Sequence, residues 1–402
     1  MKKICTGPLL IALGLVFLAS AYALLMASYV STPDEFRKAD FIAFYSAGRV
    51  GREYGLGKVY DLQHEAEAQA QVSGVSVDPG NFLTPNHPPF LYPFLSLLAG
   101  WDYRTAYFGY ALLLVLLVLT GLPALYLVLR QNGWPRLQTW EVLVGVLTFE
   151  PFFISILKGQ DSAVLLAGGL LWFCGLCRED DLLAGLGLSL TLIRPQIAIL
   201  LAFPMFFKRR KAFGWFCLGG LGLGFYSFLL VGWGGAKDYL HLLAISSNGA
   251  GFGLAETAMF NFTGLIMRIT SMTNAGVIHA LGWGLFGISL IGLCVFLWRS
   301  KKIGHTQVAA LVCVSLFASP HLHYHDLALL AVPLLGLSIV TVKAGRLDAT
   351  KTAGLLVMTS LILLAGEWFD LLRWTFPYLL MAGLPVLIHY LEKRIAPERL
   401  AP

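Results

Sequence analysis

Long apolar runs separated by clusters of Lys and Arg dominate this 402-residue sequence. Hydrophobic residues make up 57% of the chain and charged residues only 13%, which is too apolar for an ordinary soluble domain. The basic clusters recur after every second apolar run, at residues 2–3, 130–136, 178, 208–211, 299–302, 343–346 and 393–394. Because Lys and Arg mark the cytoplasmic loops of membrane proteins, this spacing predicts an all-α polytopic membrane protein with both termini in the cytoplasm.

The apolar runs predict about ten full transmembrane helices, since roughly 20 residues cross the hydrocarbon core. The predicted spans lie near residues 8–30, 103–130, 140–157, 161–177, 212–232, 276–298, 305–319, 324–342, 352–366 and 372–391. Two outer loops, 31–89 and 233–274, fall on the side away from the basic clusters. The first is expected to carry amphipathic helices, including one over 61–73 that lies along the outer surface. We interpret residues 1–402 as a single membrane-embedded domain.

The segment between Arg178 and the 208–211 cluster departs from this alternation. Both of its ends have cytoplasmic character, yet it is too short for two full spans. Arg194 and Pro195 lie at its midpoint, so we predict a short helical hairpin that turns within the membrane. A charge at membrane depth costs about 2.5–3.5 kcal/mol on insertion scales, which favours an anionic partner for Arg194. That partner is either a bound substrate or Glu150, which lies near the middle of a predicted span.

Asp40 is the carboxylate in the first outer loop that most strongly suggests a function. It is flanked by Ala39 and Phe41, and a carboxylate on such a partly buried apolar surface is costly unless it has a role. Glu35, just before it, is a reserve candidate, although a solvated helix cap explains that residue as well.

A tight polar turn joins the third and fourth predicted spans and contains Lys158, Gln160 and Asp161. Lys158 is either an anion ligand or a helix end whose side chain extends to the interface. Gly159 and Ser162 of the same turn are ordinary turn formers and indicate nothing further.

A histidine run, His321, His323 and His325 followed by Asp326, opens the span predicted over 324–342. Being four residues apart, His321 and His325 are expected to share one helix face. Three His and one Asp can supply a zinc site. A phosphate at a helix N-terminus, held by imidazoles, fits equally well and needs no ion. We favour phosphate, and expect no metal and no cofactor.

Short motifs in a fixed order resemble those of glycosyltransferase family 87. They are Asp40-Phe41 with Tyr45 and Ala47, Gly57 with Tyr60-Asp61, the run from His87 to Pro93, Gly159-Gln160, Arg194-Pro195, and Ser319-Pro320-His321 with His325. That family is similar to the mycobacterial mannosyltransferases that use polyprenyl phosphate mannose, and it has the type C glycosyltransferase fold. The resemblance implies an active site facing away from the cytoplasm, with a catalytic Asp shortly after the first helix, here Asp40.

The chain departs from the family pattern at three positions. Asp161 stands where the family usually has Asn, Arg194 where it often has Lys, and Phe94 where it has a second Pro. The change from Lys to Arg keeps a cation but alters the geometry of any phosphate contact.

The resemblance implies transfer of a hexose, with mannose expected, from a polyprenyl phosphate sugar to a lipid or glycan acceptor. We expect the protein in a bacterial inner membrane, with the site facing the periplasm or exterior and no nucleic acid partner. Asp40 is the expected base, and a single base favours inversion. The residues expected to bind substrate are Tyr45, His87, Lys158, Gln160, Asp161, Arg194, Gln196, His321, His325 and Asp326, with Glu35, Glu150 and His323 in reserve.

Within that set, Arg194, His321, His325 and Lys158 are expected to hold the phosphate. His87, Gln160 and Asp161 are expected to orient the sugar. The alternative is a transporter or flippase for a lipid-linked or anionic substrate, with the broken hairpin forming the substrate pathway.

Overall fold

The computed structural model describes residues 6–37, 39–75, 82–247, 256–270 and 274–398, and all regular structure within these ranges is helical. The first part of the chain forms α1 (Thr6–Ser31), α2 (Pro33–Arg37), α3 (Phe41–Glu53), α4 (Leu62–Ser73) and α5 (Tyr92–Leu98). Helix α1 matches the first predicted span. The other four lie in or just after the first outer loop, so the expectation of helices in that loop is confirmed.

Helix α4 begins after Asp61, whose carboxylate accepts hydrogen bonds from the backbone N–H groups of Gln63 and His64. An Asp at this position supplies an acceptor for N–H groups that have no partner inside the helix. The helix predicted over 61–73 is therefore confirmed. It does not lie free on the outer surface, however, because α4 packs on α3 and buries Glu65 completely.

The next helices are α6 (Tyr103–Gln131), α7 (Arg136–Leu147), α8 (Glu150–Lys158) and α9 (Ser162–Cys177). Helices α6 and α9 match predicted spans. The span predicted over 140–157 is split between α7 and α8. Pro151 has no N–H to continue the hydrogen bonding of α7, and Phe149 adopts an extended conformation before α8 begins.

A short hairpin follows, as the sequence predicts. It consists of α10 (Asp181–Leu190) and α11 (Pro195–Ala202), joined by the 3₁₀ turn Thr191–Ile193 and followed by the 3₁₀ turn Phe203–Phe207. Arg194 lies at the bend with φ −123° and ψ 81°, which is not a helical conformation. Pro195 then occupies the first position of α11, where its missing N–H costs nothing.

Helix α12 (Arg210–Ser247) has a sharp bend at Gly232, with φ 65° and ψ −173°. The bend coincides with the predicted end of the span at residue 232. The expectation of an outer loop from residue 233 is wrong for 233–247, which are helical. Glycine adopts this conformation without a steric penalty, so the chain changes direction and continues as helix instead of ending it.

The remaining helices are α13 (Phe262–Ile269), α14 (Ala275–Arg299), α15 (His305–Ala318), α16 (Ala331–Lys343), α17 (Ala349–Ala365) and α18 (Asp370–Glu398). The 3₁₀ segment Tyr324–Leu330 leads into α16, and both are almost entirely buried at the centre of the protein. Helix α13 lies in the second outer loop, and the others match predicted spans.

Seven of the ten predicted spans are long and apolar enough to cross a membrane. The other three, α9, α15 and α17, have 16, 14 and 17 residues. Most residues of α9 are buried against other helices, which shields a short helix from lipid. The fold is thus an all-helical polytopic membrane protein.

Close packing of α9 on α10 depends on Gly175. A Cβ at this position would lie 2.4 Å from the backbone nitrogen of Ala184. We expect Gly175→Leu to lower the stability by about 1–3 kcal/mol or more, because a backbone atom cannot move aside. Thermal unfolding in detergent, followed by tryptophan fluorescence, measures this. The control is Gly214→Ala in α12, where no atom lies within 4 Å of a Cβ. Equal melting temperatures for the two variants would contradict the prediction.

Candidate active site

A buried ion cluster forms where the bend of the α10–α11 hairpin meets the turn between α8 and α9. Arg194 Nη2 lies 2.8 Å from Asp161 Oδ1, and Arg194 Nε lies 3.1 Å from Asp326 Oδ1. The side chains of Arg194, Asp161 and Asp326 are 10%, 0% and 1% exposed. The anionic partners of Arg194 are therefore two carboxylates of the protein that the sequence analysis did not pair with it. Glu150, the alternative partner, instead accepts a hydrogen bond of 2.6 Å from the Tyr324 hydroxyl.

His87 completes this cluster. Its Nδ1 lies 2.8 Å from Asp161 Oδ2 and 3.3 Å from Arg194 Nη1, so each guanidinium nitrogen has a neighbour in the cluster. The His87 imidazole packs on Phe44 with 4.3 Å between ring centroids. The backbone carbonyl of His87 accepts a 2.7 Å hydrogen bond from the Tyr60 hydroxyl. These contacts join four segments: α3, the 86–89 turn, the α8–α9 turn and the α10–α11 hairpin.

The charge state of Asp161 follows from its neighbours. Burial raises the pKa of this carboxyl, but the charges of Arg194 and then His87 outweigh burial and hold the pKa below its ordinary value. Asp161 is therefore ionised at neutral pH, and its pairing with Arg194 offsets the cost of burying both charges.

Asp326 links the ion cluster to the histidine segment. The hydroxyl of Ser162 donates a 2.6 Å hydrogen bond to Asp326 Oδ1, and the backbone N–H of His323 donates to Asp326 Oδ2 at 3.3 Å. From the sequence, Ser162 was only a turn former. Its partner lies 164 residues away in the chain, which no local pattern indicates.

The three histidines form a row. The ring centroids of His321 and His323 are 4.7 Å apart, and those of His323 and His325 are 5.7 Å apart. The expectation that His321 and His325 share a helix face is wrong, because residues 319–323 are not helical and the helix that follows begins as 3₁₀. Ser319 precedes a proline and is extended, as such residues usually are.

Burial keeps the imidazoles of the half-buried His321 and His323 uncharged. The pKa of His323 is lowered to about 4, by burial first and then by His325, although Asp326 and Asp40 act in the opposite direction. Burial, followed by the charge of His323, lowers the pKa of His321 well below its ordinary value. Both imidazoles are therefore uncharged at neutral pH and present one N–H donor each.

Asp40 lies near this row and immediately precedes α3. It is half-buried, as its apolar neighbours predict, and its carboxylate caps no backbone N–H. Its charge is among those that act on His323 and His325, so Asp40 lies within electrostatic range of both imidazoles. Among the residues of the described ranges, no hydrogen bond or ion pair reaches the Asp40 side chain. This distinguishes it from Asp161 and Asp326, which are both paired with Arg194.

Gly159 positions the α8–α9 turn against the start of α3. Its φ of +68° is in the left-handed region, and a Cβ there would lie 2.5 Å from the Cβ of Phe41, the residue after Asp40. The sequence indicated only a turn, whereas the structure requires glycine for both conformation and space.

Of the other predicted site residues, Gln196 contacts the histidine segment. Its side-chain amide donates a 3.2 Å hydrogen bond to the carbonyl of His321. Gln160 lies in the α8–α9 turn, where its backbone N–H donates to the Ser155 carbonyl and its carbonyl accepts from the Ser155 hydroxyl. Both residues lie next to members of the ion cluster or the histidine row.

Three predicted residues have partners elsewhere or are not described in full. The Tyr45 hydroxyl donates to the Trp101 carbonyl at 2.7 Å. The Lys158 ammonium lies 4.9 Å from the centre of the Tyr29 ring. Glu35 belongs to α2, and its side chain lies outside the described part of the structure.

Asn261 is a buried site residue that the sequence did not reveal. Its side-chain N–H₂ donates to the carbonyls of Ser319 at 2.8 Å and Pro320 at 3.0 Å, and its Oδ1 accepts from the N–H of Gly264. An Asn before a short helix is recognisable as an N-cap. Its second role, holding the extended segment before His321, depends on a long-range contact.

The ion cluster and the histidine row are placed together by elements from across the chain. Within the described ranges, no three His, Cys, Asp or Glu side chains are arranged to hold a metal ion. The model of glycosyltransferase family 87 matches residues 86–320, which is more than half of the chain. The chain belongs to this family. Comparisons with curated proteins and with solved structures gave no significant match.

The protein is therefore a multi-pass membrane glycosyltransferase. The region matched by family 87 contains His87, Asp161 and Arg194, so the whole ion cluster except Asp326 falls within it. Asp40 precedes the matched region, and the histidine row follows it directly.

In this family 87 glycosyltransferase, Arg194→Met is expected to destabilise the fold by about 3–5 kcal/mol, because it leaves two buried carboxylates without their cation. The matched control is Arg209→Met, which breaks a more exposed pair with Asp181 at 2.7 Å and is expected to cost about 0.2–1 kcal/mol. Thermal unfolding of the purified variants measures both. A loss at Arg194 no greater than that at Arg209 would refute the structural role of the cluster.

The low pKa of His323 predicts a pH dependence of stability. An unfolded chain takes up a proton at its ordinary pKa near 6.5, whereas folded His323 does so only near 4. Stability is therefore lost as the pH falls through this interval. His323→Gln should flatten the decrease in melting temperature between pH 6.5 and 4, and the exposed His389→Gln serves as control. An unchanged pH profile in His323→Gln would argue against the prediction.

Proposed function

We propose that this family 87 glycosyltransferase transfers a hexose, with mannose as the first expectation, from a polyprenyl phosphate sugar to a hydroxyl group of a lipid or glycan. The acceptor would be reached on the non-cytoplasmic face, in the periplasm or at the exterior of a bacterial inner membrane. The observation that carries the proposal is the position of Asp40: a carboxylate that has no ion partner among the described residues and lies within electrostatic range of a row of neutral histidines.

The chemistry of the donor explains why one such carboxylate suffices. The leaving phosphate departs as an anion with the electrons of the bond to the sugar carbon, so no general acid is needed. In the proposed step, the acceptor oxygen bonds to that carbon while its proton passes to Asp40. A retaining enzyme would usually need a second carboxylate as nucleophile. Asp161 and Asp326 are paired with Arg194, so a single displacement with inversion is the simpler mechanism.

We assign the phosphate to the histidine row, His321, His323 and His325. Neutral imidazole N–H groups donate hydrogen bonds without the cost of burying another full charge. Arg194 would act as a positioning residue, since its nitrogen atoms already contact the protein. Lys158 has no phosphate contact in this assignment because it lies over Tyr29.

The sugar would be oriented by His87, Gln160 and Asp161. His87 is fixed by its contact with Asp161, and Gln160 has no side-chain hydrogen bond to any described residue. A transporter has less support. Arg194 and Glu150 both have partners within the protein, and the described chain contains one membrane-depth hairpin instead of the related pair of broken helices that such transporters use.

Asp40→Asn is expected to lower transfer by about 10²–10⁴-fold while donor binding stays within about twofold, because only the base is lost. The measurement uses polyprenyl phosphate [¹⁴C]mannose in proteoliposomes without an ion gradient, with a panel of lipid and glycan acceptors. Asp102→Asn is the matched control, since Asp102 also precedes a helix, α6, and Asn caps a helix as well as Asp does.

Two results would count against the proposal. Full activity of Asp40→Asn would remove Asp40 as the base. Failure of the unsubstituted protein to form product from any polyprenyl phosphate hexose would remove the donor assignment.

A further inference from the structure

A cavity lies beside the candidate active site, between the start of α4 and the part of α12 that follows Gly232. Its volume is about 200 Å³. The lining residues are Tyr60, Asp61, Leu62, Asp238, His241 and Leu242. None of these is among the residues assigned above to the donor or to proton transfer.

Two glycines allow α12 to pass close to the segment before α4, beside this cavity. At Gly232 helix α12 bends, and it passes close to the segment that precedes α4. A Cβ at Gly57 would lie 3.2 Å from the Val231 carbonyl oxygen, and one at Gly235 would lie 2.9 Å from the Gly57 carbonyl oxygen. Residues 238, 241 and 242 follow at helical spacing, so they share the face that lines the cavity.

The cavity is joined directly to the ion cluster. The hydroxyl of Tyr60 donates to the His87 carbonyl at 2.7 Å, and the Ser246 hydroxyl donates to the side-chain oxygen of Asn86 at 3.1 Å. Tyr60 also packs on Tyr239 of α12, with 4.8 Å between ring centroids. The cavity and the candidate active site therefore share the turn at Asn86 and His87.

The lining residues suit a neutral sugar. The carboxylates of Asp61 and Asp238 and the imidazole of His241 line it, and such groups form hydrogen bonds with hydroxyl groups. Asp238 and His241 are exposed, and neither has a hydrogen bond or ion pair with any part of the chain that the structure describes. The volume is below the roughly 300–1,000 Å³ of drug-sized ligand sites, which suits a single sugar ring.

The charges of the cavity exclude the donor phosphate. Asp61 accepts hydrogen bonds from two backbone N–H groups and lies 3.6 Å from Lys58 and 3.2 Å from His64, whereas Asp238 forms no ion pair with any described residue. A carboxylate without a cation repels an anion, so a phosphate group is disfavoured here. The polyprenyl phosphate and this cavity are thus chemically mismatched.

We propose that this cavity binds a neutral sugar unit of the acceptor and holds the acceptor chain so that its reacting hydroxyl reaches Asp40. The assignment deepens the proposed function and rests on it. It identifies the acceptor as a glycan or glycolipid with at least one uncharged sugar next to the unit that is modified.

The kinetic test uses Asp238→Ala and His241→Ala, which replace exposed side chains and leave the packing of α12 unchanged. Each is expected to raise the acceptor KM by about tenfold, as expected for the loss of one good hydrogen bond to a charged or polar group. The donor KM and the kcat at saturating acceptor should stay the same. Lys237→Ala is the matched control, since Lys237 is adjacent on the helix but its ammonium lies over the Trp233 ring.

A binding test separates this proposal from the proposed function. Saturation-transfer NMR on the purified Asp40→Asn protein would use methyl α-mannoside, methyl β-glucoside and glucuronate as probes. We expect a signal from a neutral glycoside and none from glucuronate. We expect the glycoside signal to be lost in the double variant that carries both Asp40→Asn and Asp238→Ala. Absence of signal from both neutral glycosides, or a signal unaffected by Asp238→Ala, would overturn the cavity assignment. Full transfer activity in Asp40→Asn would overturn the proposed mechanism. The binding result would still test the cavity assignment by itself.

Discussion

The pairing of Arg194 with Asp161 and Asp326 is the interaction on which the candidate active site depends. It joins the hairpin bend, the α8–α9 turn and the segment leading into α16, and His87 adds the turn before α5. Separately, each charge would be expensive at this depth. Together they satisfy one another, so the four segments hold a fixed arrangement at the same end of the helical bundle.

This pairing also determines what the remaining groups can do. Two of the three acids at the site are held by Arg194, and the imidazoles of His321 and His323 are kept neutral by burial. Of these three acids, Asp40 is the one that has no ion partner within the described part of the chain. The proposed single-base displacement is supported by this difference between Asp40 and the two paired acids.

Most of the fold follows from the sequence because apolar runs and basic clusters are local signals that a bilayer enforces. The same holds for the hairpin, since Arg194-Pro195 breaks a segment too short for two spans. The partners of Arg194 were not predictable, because Asp326 lies 132 residues away in the chain. The roles of Ser162, Gly159 and Asn261 were missed for the same reason. The geometry of His321 and His325 was mispredicted because helical spacing was applied to an extended segment.

The separation of 132 positions between Arg194 and Asp326 in the chain has a consequence for biogenesis. A ribosome completes the hairpin while α12, α14 and α15 are still to be made, so Arg194 enters the membrane with Asp161 as its only acidic partner from the cluster. The second carboxylate arrives much later, immediately before the central helix α16. Final docking of the hairpin therefore has to wait for the carboxy-terminal half of the polypeptide, and a chain truncated before Asp326 would leave an incompletely neutralised arginine for quality-control proteases to recognise.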